Sequence, residues 1–71
     1  MTNDIRIEIT GESIKLDQLL KLTNLVVSGG EAKQLVLAGE VFVNGEVEFR
    51  RGRKIKKGDT VFFREHEINV G

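Results

Sequence analysis

Residues 28–33 read Ser28-Gly29-Gly30-Glu31-Ala32-Lys33. A serine followed three positions later by a glutamate is typical of a capping box, in which the two side chains bond backbone N–H groups at the start of a helix. The apolar residues that follow this stretch predict a helix that ends before Gly39. Glycine is favoured at that point because it readily adopts the left-handed C-cap conformation.

A first helix is predicted upstream, over residues 15–22, because the leucines at positions 16, 19 and 20 fall on one helical face. Ser13 is a candidate N-cap for this helix. About five residues separate the two helices, and residues 25–27 are apolar and expected to plug the core. The two helices are therefore predicted to form a compact hairpin.

Short apolar runs on both sides of the hairpin predict strands. Residues 5–9 alternate apolar and polar side chains, as expected for a strand with one buried face. Further strands are predicted at residues 41–43, 46–49, 60–63 and 68–70, the last at a sheet edge, and Asn44-Gly45 favours a tight hairpin turn. The expected fold class is α+β, one domain over residues 1–71, with a helical hairpin packed on a small curled antiparallel sheet.

The positive charges of this neutral chain are concentrated in one segment. Residues 1–49 contain four basic and eight acidic side chains, whereas residues 50–64 contain seven basic and one acidic. Six cationic residues lie within residues 50–57: Arg50, Arg51, Arg53, Lys54, Lys56 and Lys57. Such a patch attracts polyanions, chiefly nucleic acid, and the alternative is a loop kept polar for solubility. Ile55 interrupts the cluster and is predicted to anchor it in the core.

The start of the second helix offers another contact for phosphate. Its first backbone N–H groups are unpaired and the helix dipole is positive there. Gly29 and Gly30 would let a phosphate approach the backbone closely. The alternative is that Ser28 and the glycines form only a tight turn. The Lys-Ser/Thr pair of a nucleotide-binding loop is missing, so nucleotide hydrolysis has little support.

Composition argues against several other classes. The chain has no cysteine, which excludes thiol catalysis and cysteine metal sites, and no His/Asp/Glu cluster has metal-ligand spacing. The single histidine, His66, is interpreted as a surface residue in a polar turn, and Phe49 beside Arg50 is the best candidate for base stacking. A small secreted domain would often need disulfides, so their absence favours the cytoplasm, and neither a membrane-length apolar run nor a signal peptide is visible. Because no catalytic or metal-binding constellation is present in the sequence, we expect a non-catalytic protein without cofactor, metal or small-molecule substrate.

An ordered set of short motifs adds a family resemblance. The set comprises Leu16-Asp17, residues 28–33, Val41-x-Val43-Asn44-Gly45 and Lys57-Gly58-Asp59-x-Val61. Together they resemble the RNA-binding domain of ribosomal small-subunit protein S-four, also called the alpha-L motif, over about residues 14–63. Within that family the chain looks most like the small stand-alone bacterial YaaA/YbcJ-like proteins.

The resemblance implies that structured RNA is bound by basic residues of the helical hairpin and the following loop. Lys15 and Lys33 match basic positions of the family, whereas Gly29 and Phe42 stand where many relatives have a basic residue. The cluster at residues 50–57 is therefore predicted to substitute for them. The full predicted RNA-binding set is Lys15, Ser28, Gly29, Gly30, Lys33, Arg50, Arg51, Arg53, Lys54, Lys56 and Lys57.

The expected function is thus non-catalytic binding of structured RNA, with ribosomal RNA as the first candidate and ribosomal particles as further candidate partners. One alternative is a protein-interaction adaptor in ribosome assembly, whose binding would be insensitive to salt. The other is a DNA-binding helix-turn-helix protein. That alternative is weaker, because the outer side of the second helix supplies few donors for base edges. Its outward residues are Gly30, Glu31, Lys33, Gln34 and Leu37.

Overall fold

The computed structural model describes residues 3–71. This part of the chain forms two strands, then two helices, then five further strands. In chain order they are β1 (Asn3–Ile7), β2 (Ser13–Lys15), α1 (Leu16–Leu22), α2 (Gly29–Leu37), β3 (Val41–Val43), β4 (Glu46–Val47), β5 (Lys54–Lys56), β6 (Thr60–Phe63) and β7 (His66–Val70).

Helix α2 begins and ends where its sequence predicts. The Ser28 hydroxyl oxygen accepts a hydrogen bond from the Glu31 N–H at 3.2 Å. The Glu31 carboxylate reaches back to the N–H of Val27 at 2.8 Å, one residue before the N-cap. At the other end Gly39 has φ 76° and its N–H donates to the Val36 carbonyl. Both helix ends are therefore satisfied locally.

Helix α1 is capped by a distant segment of the chain. The predicted N-cap is wrong: Ser13 lies in β2, and α1 has no side-chain cap. The N–H groups of Leu16 and Asp17 donate instead to the carbonyls of Arg53 and Arg51, at 2.9 and 3.0 Å. These bonds tie the start of α1 to the basic segment, since they satisfy two N–H groups that a helix leaves unpaired.

The α+β class is confirmed, with two helices packed on a sheet, but that sheet is mixed and not wholly antiparallel. Its strand order is β1-β7-β6-β3-β4, and β1 pairs with β7 in parallel. Parallel pairs need a long connection, which the hairpin and the intervening strands supply. Strand β7 is therefore internal, between β1 and β6, where the sequence predicted an edge strand. An alternating pattern does not encode a strand's neighbours.

A second, two-stranded sheet pairs β2 with β5 in antiparallel register. Neither strand was predicted, because β5 lies within the polar cluster and β2 within the expected approach to α1. Ile55 in β5 is fully buried, as predicted, and stands opposite Ile14 in β2. Two isoleucines thus anchor this small sheet to the core.

The core joins the helices to both sheets in one hydrophobic cluster. Val61 and Phe63 point into it and Phe62 is exposed on the other face, as the period-two pattern predicts. In the connection between the helices Val26 is buried, but Val27 is 91% exposed, so the predicted plug is only partly correct. Neither helix within residues 3–71 is long and apolar enough to cross a membrane.

Asn44 closes the turn between β3 and β4 with φ 52°, followed by Gly45 with φ 87°. Its side chain accepts from the Thr60 N–H at 2.9 Å and donates to the Asp59 carboxylate at 3.2 Å. Asn44→Val should lower the free energy of unfolding by about 1–3 kcal/mol, because a β-branched residue resists positive φ. Thermal denaturation followed by circular dichroism measures this loss as a lower midpoint.

Asn44→Gly is the matched control for this turn. Glycine tolerates the positive φ, so this variant loses only the side-chain hydrogen bonds and should be destabilised less than Asn44→Val. Equal midpoints for the valine variant and the wild type would show that the turn conformation contributes nothing to stability.

Candidate nucleic-acid interface

The β2–β5 sheet displays lysines on its outer face. Lys15 stands directly opposite Lys54, and Ser13 opposite Lys56. Because side chains alternate along a strand, Ile14 and Ile55 face inward, so these three lysines share the exposed side. We call this surface the lysine face: Lys15, Lys54 and Lys56. Facing like charges destabilise a strand pair, so the lysine face does not add to the stability of this sheet.

Two arginines of the basic segment are held by one carboxylate. Glu48 accepts from Arg50 Nε at 3.0 Å and from Arg50 Nη2 at 3.3 Å. It also accepts from Arg53 Nη1 at 2.9 Å and from the Arg50 backbone N–H at 3.0 Å. We call this group the Glu48 clamp: Glu48, Arg50 and Arg53. Its three ionic side chains carry a net charge of +1, so the basic segment is less positive than its sequence suggests.

Glu48 is the one buried charged residue among residues 3–71, with 6% of its surface exposed. Hydrogen bonds from Arg50, and then from Arg53, lower the pKa of this carboxyl from 4.5 to about 2. The role of Glu48 was not predicted from the sequence. Glu46 and Glu48 alternate with Val47, which is the pattern of two solvent-exposed side chains. The only sequence feature that could have indicated the ion pairs is the position of an acidic residue just before a run of arginines.

The lowered pKa of Glu48 predicts how the stability of the protein changes with pH. The unfolded chain protonates Glu48 near pH 4.5, whereas the folded protein keeps it ionised to about pH 2. The clamp therefore stabilises the fold fully above the unfolded pKa, and this contribution is lost as pH falls toward the folded pKa. Near neutral pH, Glu48→Gln should lower the free energy of unfolding by about 1–3 kcal/mol, because hydrogen bonds between charged partners are lost.

Urea denaturation of the wild type and Glu48→Gln across a pH series measures this effect. The difference between the two proteins should shrink as pH falls from 4.5 toward about 2. Glu46→Gln is the control, because Glu46 is exposed and its substitution should leave the difference small at every pH. A Glu48→Gln difference that does not depend on pH would contradict an ionised clamp.

A shallow depression of about 670 Å³ lies between the clamp and the lysine face, and Gly52 contributes no side chain to it. Asp59 at its border accepts from the Lys56 N–H at 2.8 Å and so belongs to the adjoining turn. The remaining lining residues are Arg50, Arg53, Lys54 and Lys56. An open depression lined by cations suits a phosphate group on the surface of a larger ligand.

Other predicted RNA contacts lie elsewhere in the fold. Arg51 and Lys57 are exposed in the turns before and after β5. Ser28, Gly29, Gly30 and Lys33 lie at the N-terminal end of α2, whose helical partner is α1. A Cβ at Gly29 would meet no atom within 4 Å, and one at Gly30 only the Ser28 hydroxyl at 3.7 Å. Packing therefore does not require these glycines, and their contact with RNA stays a prediction.

Two aromatic side chains that the sequence singled out have defined neighbours. Phe49 is 56% exposed, and its ring edge lies 3.4 Å from where a Cβ on Gly39 would be. Part of the ring thus covers the end of α2 and part remains accessible. His66 is half-buried in β7, with its ring 5.8 Å from that of Phe63, so its predicted position in a surface turn is wrong.

Two helices on a mixed sheet, with the lysine face beside them, define a small α+β module with a cationic surface. Residues 7–71 match the S4 domain family, and the chain belongs to that family. The resemblance to the S-four-type domain is thereby confirmed.

Two relatives are similar over most of their length. The chain is 48% identical over 61 residues to "Probable ribosome maturation protein RlbA" of Bacillus subtilis (strain 168), covering 86% of this chain and 83% of that protein. It is 42% identical over 57 residues to "Putative RNA-binding protein YbcJ" of Escherichia coli (strain K12), covering 80% and 81% respectively. The likeness to small stand-alone bacterial S4 proteins is confirmed by these matches.

Proposed function

We propose that this protein binds structured RNA, without catalysing a reaction, through the lysine face and the Glu48 clamp. The observation that carries the proposal is Lys15 directly opposite Lys54, with Lys56 on the same face. Membership of the S4 domain family and a relative whose name describes it as RNA-binding support the same ligand class.

In this mechanism the two types of cation have different roles. Lysine ammonium groups are compact point charges on flexible stems, so the lysine face can adapt to phosphates at different positions. Arginine forks bind phosphate in a bidentate geometry, and Arg50 and Arg53 border the depression where one phosphate would sit. Arg51, Lys57 and the start of α2 would extend the contact along the RNA backbone.

Ribosomal RNA, presented on ribosomal particles in the cytoplasm, is the target that we propose. The support is the relative from Bacillus subtilis, whose name describes ribosome maturation and which is 48% identical. Crosslinking in cells, followed by sequencing of the attached RNA, tests this choice. Recovery of ribosomal RNA fragments above their level in a mock sample is expected, and recovery of other RNAs alone would contradict it.

RNA binding by this surface should depend steeply on salt. If about four to six phosphates are contacted, log K should fall against log salt concentration with a slope of roughly −3 to −5. Fluorescence anisotropy of a labelled RNA stem-loop, titrated at several salt concentrations, gives this slope. A DNA hairpin of the same sequence is the control and should bind more weakly, whereas a flat salt profile would contradict binding through the cationic surface.

The adaptor alternative draws on a different surface. Phe42 and Phe62 lie on the outer face of the five-stranded sheet with ring centroids 6.4 Å apart, and Val47 pairs opposite Phe42. An exposed apolar row of this kind suits contact with a protein. Association with ribosomal particles that resists high salt and survives alanine substitution of the lysine face would favour the adaptor over the RNA binder.

A further inference from the structure

The two arginines of the Glu48 clamp are held in place while most of their donors face away from the carboxylate. Arg50 uses Nε and Nη2, and Arg53 uses Nη1, out of five N–H donors in each guanidinium group. The Arg50 side chain is 76% exposed and that of Arg53 34% exposed, whereas the Glu48 side chain is 8% exposed. The carboxylate is thus buried under more exposed arginines, and both arginines line the depression.

Charge alone does not explain this arrangement. Glu48 subtracts one unit from a surface that is otherwise built of cations, and this weakens the attraction for RNA. Stability alone explains it poorly, because a buried ion pair can often be replaced by apolar side chains at no cost. A fixed carboxylate does restrict the rotamers of both arginines before any ligand arrives. Binding then loses less side-chain entropy than it would with two mobile arginines.

We propose that Glu48 is a positioning residue of the RNA interface, which orients Arg50 and Arg53 so that their outer N–H donors converge on one phosphate in the depression. The inference rests on the proposed RNA binding and deepens it. Glu48 itself does not touch the RNA. It acts through the two guanidinium groups, much as second-shell carboxylates orient the ligands of a metal site.

The test compares Glu48→Gln with Glu46→Gln, each of which removes one negative charge from the same part of the chain. Electrostatics alone predicts that both variants bind a labelled RNA stem-loop slightly more tightly than the wild type. If Glu48 positions the arginines, the two variants should differ in RNA affinity. Glu46→Gln should bind as tightly as the wild type or more tightly. Glu48→Gln should bind about five- to thirtyfold more weakly, because two arginine side chains must then be ordered on binding. Both variants are first checked for folding by circular dichroism at the binding temperature.

The salt dependence of RNA binding distinguishes positioning from a merely structural role of Glu48, which would leave the slope unchanged. If the oriented arginines grip one phosphate, the slope for Glu48→Gln should become shallower by about 0.7–0.9, the value of one contact. Glu46→Gln should keep the wild-type slope. Tighter or equal binding by Glu48→Gln relative to Glu46→Gln would overturn the proposal, and the carboxylate would then be a competitor of RNA for the arginines.

Arg53→Lys tests the proposal independently, in case Glu48→Gln does not fold. Lysine keeps the charge and can still pair with Glu48, but it lacks the planar fork. Binding should weaken about five- to thirtyfold in this variant, and binding equal to the wild type would overturn the proposal. The control is Arg64→Lys, outside the depression, which should bind like the wild type. Failure of the wild type itself to bind RNA would refute the proposed function, an outcome distinct from failure of the positioning role.

Discussion

Replacing Lys15, Lys54 and Lys56 together with alanine should weaken binding of a labelled RNA stem-loop about 30- to 150-fold, if each exposed lysine contributes about 0.7–1 kcal/mol. The register of β2 and β5 places all three on one exposed face, so one RNA backbone can contact them together. The salt slope should become shallower by about 2–3, because about three phosphate contacts are lost. Anisotropy titrations at several salt concentrations measure both quantities.

The control for this variant removes three cations elsewhere: Arg6, Lys21 and Arg64, each replaced by alanine. It changes the net charge equally and tests whether position matters. The lysine-face variant should also be at least as stable as the wild type, since the repulsion between Lys15 and Lys54 is removed. Equal loss of binding in the two triple variants would mean that overall charge, and not the lysine face, holds the RNA.

Ile55→Ala should lower the free energy of unfolding by about 2–5 kcal/mol, the usual cost of truncating a fully buried isoleucine. A domain of this size has a total stability of only about 4–10 kcal/mol, so a large part would be lost. The reason is position: Ile55 is fully buried within the strand that carries Lys54 and Lys56. Chemical denaturation at constant pH measures the change.

Val27→Ala is the matched control, because Val27 is 91% exposed and its truncation should change stability by less than about 0.5 kcal/mol. Similar denaturation midpoints for Ile55→Ala and Val27→Ala would show that the β2–β5 sheet is peripheral to the fold. The cationic segment would then be the polar loop that its composition alone suggests. A large loss for Ile55→Ala alone would show that the cationic surface and the core are parts of one cooperative unit.

Much of the candidate interface could be predicted from charge and motif, but its internal arrangement could not. The charge imbalance between residues 1–49 and residues 50–64 is visible in the sequence, and four cations of residues 50–57 line the depression. It did not reveal that Glu48 holds two of the cations, because a carboxylate in an alternating strand looks exposed. Nor did it reveal that Lys15 meets Lys54, because these residues are distant along the chain.

The elements that could be predicted correctly are those whose signals lie within a few residues of one another. The Ser28 cap, the left-handed Gly39, the Asn44-Gly45 turn and the alternation of β6 were all predicted, since each depends on local backbone preferences. The S4 family resemblance rests on the same ordered motifs, and the family match confirms it.

The way in which these elements pack together depends on contacts that form only in the folded chain. The carbonyls of Arg51 and Arg53 cap α1, β7 lies between β1 and β6, and β5 is a strand because β2 pairs with it. Each of these contacts joins residues far apart in the chain. These contacts are stabilised by the burial of Ile55 and by hydrogen bonds to backbone groups, which form only when distant parts of the chain come together. No local sequence pattern encodes such long-range contacts.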